Sequence, residues 1–262
     1  MEHRYYYVGI IRVETLDYIE ILKEKKKMQE WSRLKIILKK MWNKHQYGEI
    51  NWHIEKRELY KEFKTTLEAE EWGMKYYKSW ANSYKDVMRL AKHSITNSLF
   101  TATIECYCGD TYRKLNDFLR KEVDSESNIY REMADILSIV LCSAPRIPTN
   151  IVLYRLVDDK FVSELIEQNK QDRPTPIQEK GFMSTSLLRD IVYADGAYAY
   201  ENNLLKIYVE SDTIGIYVNA ITKRSEEEML LFPNMYLALT NYPYRDDEVN
   251  KMVYECKLIK FY

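Results

Sequence analysis

Glycine is scarce in this chain, at 7 of 262 residues. Dinucleotide fingerprints and P-loops both spend glycines at fixed spacings to cradle phosphates, and neither pattern occurs. Proline, at 6 residues, and cysteine, at 4, are equally sparse. The cysteines are Cys106, Cys108, Cys142 and Cys256. Cys106-x-Cys108 is too tight for a zinc knuckle and the others have no ligand spacing, so reduced structural thiols and no metal site are expected. No apolar run approaches the roughly 20 residues that cross a bilayer. The N-terminal Met1-Glu2-His3-Arg4-Tyr5-Tyr6-Tyr7 lacks the apolar core of a signal peptide, so no classical export signal is expected. A charge excess of either sign is also missing: 39 basic against 40 acidic residues give a net charge of −1. That balance argues against a dedicated nucleic-acid binder.

What the chain does have is length for a substantial core, many tyrosines (23), and a lysine-rich first third. Tyr5–Val13 reads as a strand, and Thr15 to about Phe63 as helical and strongly charged. Within it Trp31, Ile36, Ile37, Met41 and Trp42 recur at helical spacing among lysines, the pattern of an amphipathic surface helix. Thr65-Thr66-Leu67-Glu68 is a capping box that opens a helix to about Trp80, with Trp72, Tyr76 and Trp80 on one face and Tyr77 beside them. Further helices are expected over Tyr84–His93, Thr111–Lys121 and Ile129–Cys142. Pro145 and Pro148 then break the helical pattern.

Beyond them the chain reads as strands. The candidates are Asn150–Leu156, Gly181–Thr185, Leu204–Val209, Gly215–Asn219, Glu228–Phe232, Met235–Leu239 and Val253–Phe261, with one helix over Lys160–Asn169. A helical layer followed by a mostly antiparallel sheet is an α+β arrangement.

Three features of the strand half carry chemistry. Arg155 lies inside the apolar run Ile151-Val152-Leu153-Tyr154-Arg155-Leu156, where a guanidinium is costly unless an anion meets it. Gly181-Phe182-Met183-Ser184-Thr185-Ser186 sets hydroxyls along a strand behind a glycine that permits close backbone approach to a ligand. Glu226-Glu227-Glu228 runs directly into Met229-Leu230-Leu231-Phe232. Alternation along a strand puts Glu226 and Glu228 on one side and Glu227, a spacer, on the other. Taken alone this stretch also reads as a solvated acidic turn before a strand.

An arginine, a Ser-Thr-Ser strand and a Glu-x-Glu before an apolar strand, in that order, resemble the signature of bacterial mono-ADP-ribosyltransferase toxins. The likeness extends to Glu70–Trp80, to Tyr112–Arg120 and to Gly215–Ile221, and so covers Thr65 to Tyr262. It implies two parts: an N-terminal strand and charged helical extension over 1–64, and an ADP-ribosyltransferase domain over 65–262. The implied fold is a mostly antiparallel two-sheet β core with an N-terminal helical layer. A faint similarity of Leu22–Trp31 to a binary-toxin enzymatic component brings a separate binding and translocation component into view as a partner.

The implied chemistry is transfer of ADP-ribose from NAD, as a substrate, to a protein side chain, with loss of nicotinamide. Glu228 is then the carboxylate that binds a ribose hydroxyl and stabilises developing positive charge. Glu226 orients and deprotonates the acceptor, a role that a raised pKa suits. Arg155 holds NAD phosphates, and Ser184 supports Glu228 or the ribose. Thr185 and Ser186 stiffen the strand, Gly181 grips the nicotinamide amide, Phe182 stacks on its ring, and Tyr77 closes from the helix. A glutamate at the first position of the pair points to an arginine acceptor, actin among the candidates, in a host cell reached by secretion or delivery. Lys223 and Arg224, in the loop before the pair, are the expected target-recognition residues.

The chain departs from the pattern at Leu156, where many relatives carry a second basic residue. It also lacks a later arginine, for which Arg189 is the candidate substitute, and its recognition loop has no aromatic tip. Two alternatives stay open: an NAD glycohydrolase without protein acceptor, and a catalytically silent binding module of the same fold.

Overall fold

The computed structural model describes residues 25–95, 97–121, 128–193, 200–224 and 226–260. The expected strand Tyr5–Val13, the helical pattern before Lys25, and Ser225 lie outside these residues. By compactness the chain divides into two units, Met1–Gly48 and Glu49–Tyr262. The boundary expected at 64/65 from family likeness falls within the second.

In the first unit, helix α1 spans Lys25–Tyr47. It stops at Gly48, whose φ of 80° is a left-handed C-terminal cap that glycine adopts without steric cost. The Gly48 N–H donates to the Lys44 carbonyl at 2.9 Å. Ile36, Ile37, Met41 and Trp42 are each at least half exposed on this helix.

The expected helical character therefore does not reach Phe63. Residues 49–63 form no α-helix, only a 3-10 turn at Arg57–Leu59, and Ile50, Trp52 and Ile54 are half-buried with exposed residues between them, a period of two rather than 3.6. The segment pairs with the sheet: Lys61 N–H donates to Asn150 O at 2.9 Å, and Val152 N–H donates to Lys61 O at 2.9 Å. Phe63 is buried in the main core.

Thr65 caps the next helix, α2 (Thr66–Ala91), its hydroxyl accepting from Glu68 N–H at 3.2 Å. The Glu68 carboxylate reaches back to Lys64 N–H at 3.1 Å, one residue before the cap, a variant of the reciprocal capping-box contact. No glycine or proline interrupts the chain between Trp80 and Tyr84, and the two helices expected here are one. Short helical turns at Ser98–Thr101, Thr103–Cys106 and Tyr107–Thr111 follow, the last broken by Gly109 at ψ −129°. Helices α3 (Tyr112–Lys121) and α4 (Asn128–Ser143) complete the helical layer.

The strands are β1 (Ile151–Val157), β2 (Ile177–Glu179), β3 (Met183–Ser186), β4 (Asn203–Val209), β5 (Gly215–Tyr217), β6 (Glu228–Leu231), β7 (Met235–Leu239), β8 (Tyr244–Asp246) and β9 (Lys251–Ile259). Helix α5 (Asp159–Asn169) follows β1 and is capped by the Asp158 carboxylate on Phe161 N–H at 2.8 Å. The hydrogen-bonded order is β2-β7-β9-β4-β1-β3-β6-β5, with β8 on β9.

All pairs are antiparallel except β4–β9. The junction β1–β3 rests on a single residue pair, Tyr154 with Ser186. A six-strand segment and the three-strand segment β3-β6-β5 thus meet at one bridge, as two sheets joined at an edge.

Strand β1 is buried on both faces, which is why it reads as an apolar run broken only by Arg155. Ile151, Leu153 and Val157 enter the main core under the helices, while Val152, Tyr154 and Leu156 enter a second cluster with Tyr208 and Val253. Alternation places Arg155 on the helix side.

Candidate active site

Glu226 and Glu227 lie in a turn, and Glu228 is the first residue of the strand that follows. Glu228 N–H donates to Glu226 O at 2.9 Å, and Leu187 N–H donates to Glu227 O at 2.8 Å, so the turn is tied to the end of β3. Strand β6 then starts at Glu228, opposite Ser186, and Leu230 lies opposite Ser184. Ser184 and Glu228 are diagonal neighbours on one face, within reach of each other's side chains. The Ser184 hydroxyl donates to Glu228 Oε1 at 2.5 Å.

Glu228 is 2% exposed. Burial raises its pKa above the ordinary glutamate value, and the Glu226 charge adds to the rise. The Ser184 hydrogen bond and the Arg224 and Arg155 charges oppose it. Arg224 Nε lies 3.1 Å from Glu228 Oε2 at an angle that gives a charge contact without a hydrogen bond. Among the described residues, Oε2 is therefore a buried carboxylate oxygen met by the Arg224 charge but by no hydrogen bond.

Glu227 is more than a spacer. It is buried, and it accepts a hydrogen bond from the Tyr217 hydroxyl. Burial raises its pKa, with Tyr217 opposing and the Glu70 charge contributing. The Tyr217 ring is itself buried against α2 at Gly73, where a Cβ would fall 2.3 Å from ring carbons. Gly73 is a contact of helix with ring, and it couples α2 to the turn that carries Glu228.

Arg155 donates through Nη1 to Ser184 O at 3.2 Å, so β1 and β3 are joined at the residue that also holds Glu228. Its Nη2 stands 4.0 Å from the buried Glu179 carboxylate. Glu179 accepts from Arg120 through both oxygens, at 2.9 and 3.1 Å, and from Gly181 N–H at 2.9 Å.

The space beside the Gly181 Cα is filled by Asn116, with its Oδ1 2.7 Å from where a Cβ would stand. Asn116 brackets the Phe182 backbone, accepting from its N–H at 2.9 Å and donating to its carbonyl at 3.1 Å. Tyr107 O–H donates to the same carbonyl at 3.2 Å.

The structure thus brings Glu228, Ser184, Arg155 and Arg224 together, with Glu226 close enough for its charge to act on Glu228. Other expected site residues stand elsewhere. The Phe182 ring is fully buried against Tyr107, centroids 5.6 Å apart, and Gly181 N–H is taken by Glu179. Thr185 and Ser186 are buried, and their hydroxyls bond Met229 O and Leu188 N–H at 2.7 and 3.0 Å. They act on the site through the strand.

Tyr77 is fully buried beside Trp72, centroids 6.0 Å apart, with no partner for its hydroxyl, and burial raises its pKa. Lys223 is exposed, whereas Arg224 turns inward and also donates to the Cys108 carbonyl. Arg189 is committed to Asp246 and, at 3.0 Å, to Glu248.

Sequence reasoning gave no role to Asn116, Arg120, Glu179 or Glu227. For two of them a signal existed: Asn116 and Arg120 lie one helical turn apart on a helix already singled out. Among the described residues no group of three or more His, Cys, Asp and Glu is placed to hold a metal, and no helix is long and apolar enough to cross a membrane.

A buried carboxylate held by a serine of the adjoining strand, beside an arginine from the strand before it, is the grouping expected from the sequence resemblance. The model of the ADP-ribosyltransferase exoenzyme family matches residues 69–259, and the chain belongs to that family. Solved structures share the fold. The ADP-ribosylating toxin BECa of a C. perfringens binary enterotoxin, solved with NADH, superposes with a TM-score of 0.57 at 19% identity, over 75% of this chain and 49% of that one. C3stau2 of S. aureus, solved with NAD, gives 0.54 at 17% identity, over 77% and 99%. The C3 exoenzyme of Clostridium limosum gives 0.52 at 17%, over 77% and 98%. The chain thus spans about half of BECa and nearly all of each C3 enzyme. At these identities the likeness is one of fold. Comparison with curated proteins by sequence gives no match.

Proposed function

We propose that the chain is an NAD-dependent mono-ADP-ribosyltransferase that modifies an arginine of a host protein. The observation that carries this is Glu228: a buried carboxylate with Oε1 held by Ser184 and Oε2 paired with the Arg224 charge but, among the described residues, without a hydrogen bond. An orphaned buried carboxylate oxygen costs about 1–3 kcal/mol or more, and a ligand hydroxyl removes that cost. A ribose hydroxyl of NAD is such a donor, and Arg155 supplies a positive charge on the same side for the dinucleotide phosphates. NAD contributes the nicotinamide leaving group. The residues contribute binding, and negative charge where the ribose carbon becomes electron-poor.

In this reading Glu228 is ionised during turnover, and Ser184 fixes its orientation. Ser184 is fixed in turn because its carbonyl accepts from Arg155. Glu226, half-buried in the turn, is the group for the acceptor proton; a guanidinium acceptor must lose a proton to attack, and a carboxylate beside Glu228 is suited to take it. Lys223 is the outward cation that meets the target surface. Arg224 is engaged with Glu228 and the Cys108 carbonyl, and it leaves that place when the ribose arrives. Actin remains one candidate target, and delivery with a separate binding component one route, both implied by the sequence resemblance.

Labelled NAD incubated with the protein and a eukaryotic lysate tests the reading. A labelled host protein with the label on arginine is expected. Glu226→Gln should abolish that labelling and leave nicotinamide release; equal loss of both contradicts the role of Glu226. Release of nicotinamide with no labelled protein would make the chain an NAD glycohydrolase instead.

A further inference from the structure

Two arginines from different elements converge on one buried carboxylate. Glu179, at the end of β2, is 4% exposed. Arg120, in the last turn of α3, binds both of its oxygens: Nε to Oε1 at 2.9 Å and Nη2 to Oε2 at 3.1 Å. Arg155, in β1, approaches the same Oε2 only to 4.0 Å, while its other nitrogen donates to Ser184 O at 3.2 Å. One carboxylate shared by two guanidiniums leaves one positive charge over. Hydrogen-bond distances assign the carboxylate to Arg120, so the surplus charge belongs to Arg155.

We propose that Glu179 and Arg120 form a positioning pair for Arg155: Arg120 neutralises Glu179, so that Glu179 steers the Arg155 guanidinium without quenching its charge for a dinucleotide phosphate. The inference rests on the NAD reading above and extends it to three elements, since α3 and β2 together aim a residue of β1. Gly181 N–H, which donates to Glu179 Oε1 at 2.9 Å, ties the same carboxylate to the turn entering the Ser184 strand.

Charge accounting gives a pattern that packing alone does not. In Arg120→Gln the carboxylate is released, Arg155 closes on it, and the charge meant for phosphate is neutralised. In Glu179→Gln two guanidiniums face each other with no acid between them, and Arg155 is pushed out of line. In the double variant neither the acid nor its competing cation remains, and Arg155 again carries an unquenched charge. The glutamine at position 179 keeps an oxygen for Gly181 N–H.

The test is nicotinamide release from NAD, with calorimetric binding of NAD and of ADP-ribose, on the full chain and these three variants plus Arg120→Lys. Thermal unfolding identifies the variants that are folded. Arg120→Gln should raise KM for NAD roughly tenfold or more, the worth of one charge-assisted hydrogen bond, with kcat within about twofold. The double variant should recover most of that loss, and Arg120→Lys should stay within about threefold of the wild type, because the charge is kept.

An unchanged KM in Arg120→Gln overturns the inference. So does a double variant at least as impaired as the worse single one, the outcome of a purely structural role. Should Arg120→Gln fail to fold, Arg120→Lys decides: a tenfold rise there also overturns it. Wild-type protein that binds neither NAD nor ADP-ribose removes the ADP-ribosyltransferase reading itself, and this inference with it; wild-type binding with indifferent variants removes this inference alone.

Discussion

Replacing Gly73 with alanine tests whether helix α2 holds the turn that carries Glu228. In an isolated helix the change stabilises by about 1 kcal/mol, since glycine is the poorer helix former. Here the new Cβ would stand 2.3 Å from Cδ1 and Cε1 of Tyr217 and 2.6 Å from Cγ. Carbon atoms pack at about 3.5–4.0 Å, so the ring must retreat by more than about 1 Å. It has nowhere to go: Tyr217 is fully buried and its hydroxyl is bonded to Glu227. Overpacking of this kind costs about 1–3 kcal/mol, and breaking a buried hydrogen bond to a carboxylate adds roughly 1.5–3 kcal/mol.

Set against the gain in helix propensity, the net cost is about 1.5–5 kcal/mol. For a unit of this size each kcal/mol lowers Tm by about 2–4 °C, which gives a fall of roughly 3–20 °C. Thermal unfolding followed by circular dichroism measures it, and nicotinamide release measured below the transition should fall as well, because Glu227 and Glu228 share one turn. Placing Gly73→Ala in a Tyr217→Leu background should cost less than in the wild type. An unchanged or raised Tm for Gly73→Ala refutes the reasoning.

Two further predictions concern Glu228. Arg224 favours its ionised form, so Arg224→Ala should move the acid limb of the pH profile of kcat/KM for NAD toward higher pH; a limb that stays in place contradicts the contact. Burial raises the Glu228 pKa above the ordinary value of 4.5, so its charge opposes folding. A raised folded-state pKa contributes stability below the unfolded value, and that stability is lost as pH rises through the folded value. Glu228→Gln should therefore unfold at higher temperature than the wild type at pH 7, with the difference shrinking as pH falls toward and below 4.5. A difference that is constant with pH counts against a buried charge at this position.

Much of this site was legible because its parts are local patterns. An arginine in an apolar strand, hydroxyls on a strand and acids before a strand each break the composition expected of a core. The elements on which they lie follow from periodicity and from the Thr65 cap. What was not legible depends on pairings distant in sequence. Gly181 looked like room for a ligand, yet Asn116 fills that room. Phe182 looked like a stacking ring, and it is core.

Glu179 stands in a three-residue strand too short to show a period, and its partner Arg120 is 59 residues away. Glu227 reads only as a spacer because nothing near it in sequence names Tyr217 as its donor or Gly73 as the floor beneath that ring. The segment 49–63 was misread as helix because its charge density hid the alternation of Ile50, Trp52 and Ile54. Gly48, the residue that ends α1, gives the stop signal.

The central claim is that Glu228, held by Ser184, is the carboxylate that acts on NAD. The most direct measurement is nicotinamide release from NAD by the wild type and by Glu228→Gln, both verified as folded by circular dichroism. The wild type is predicted to release nicotinamide, and Glu228→Gln to lose the activity by a factor on the order of 10²–10³, the usual consequence of removing one preorganised electrostatic group. A Glu228→Gln protein that releases nicotinamide at the wild-type rate would contradict the claim.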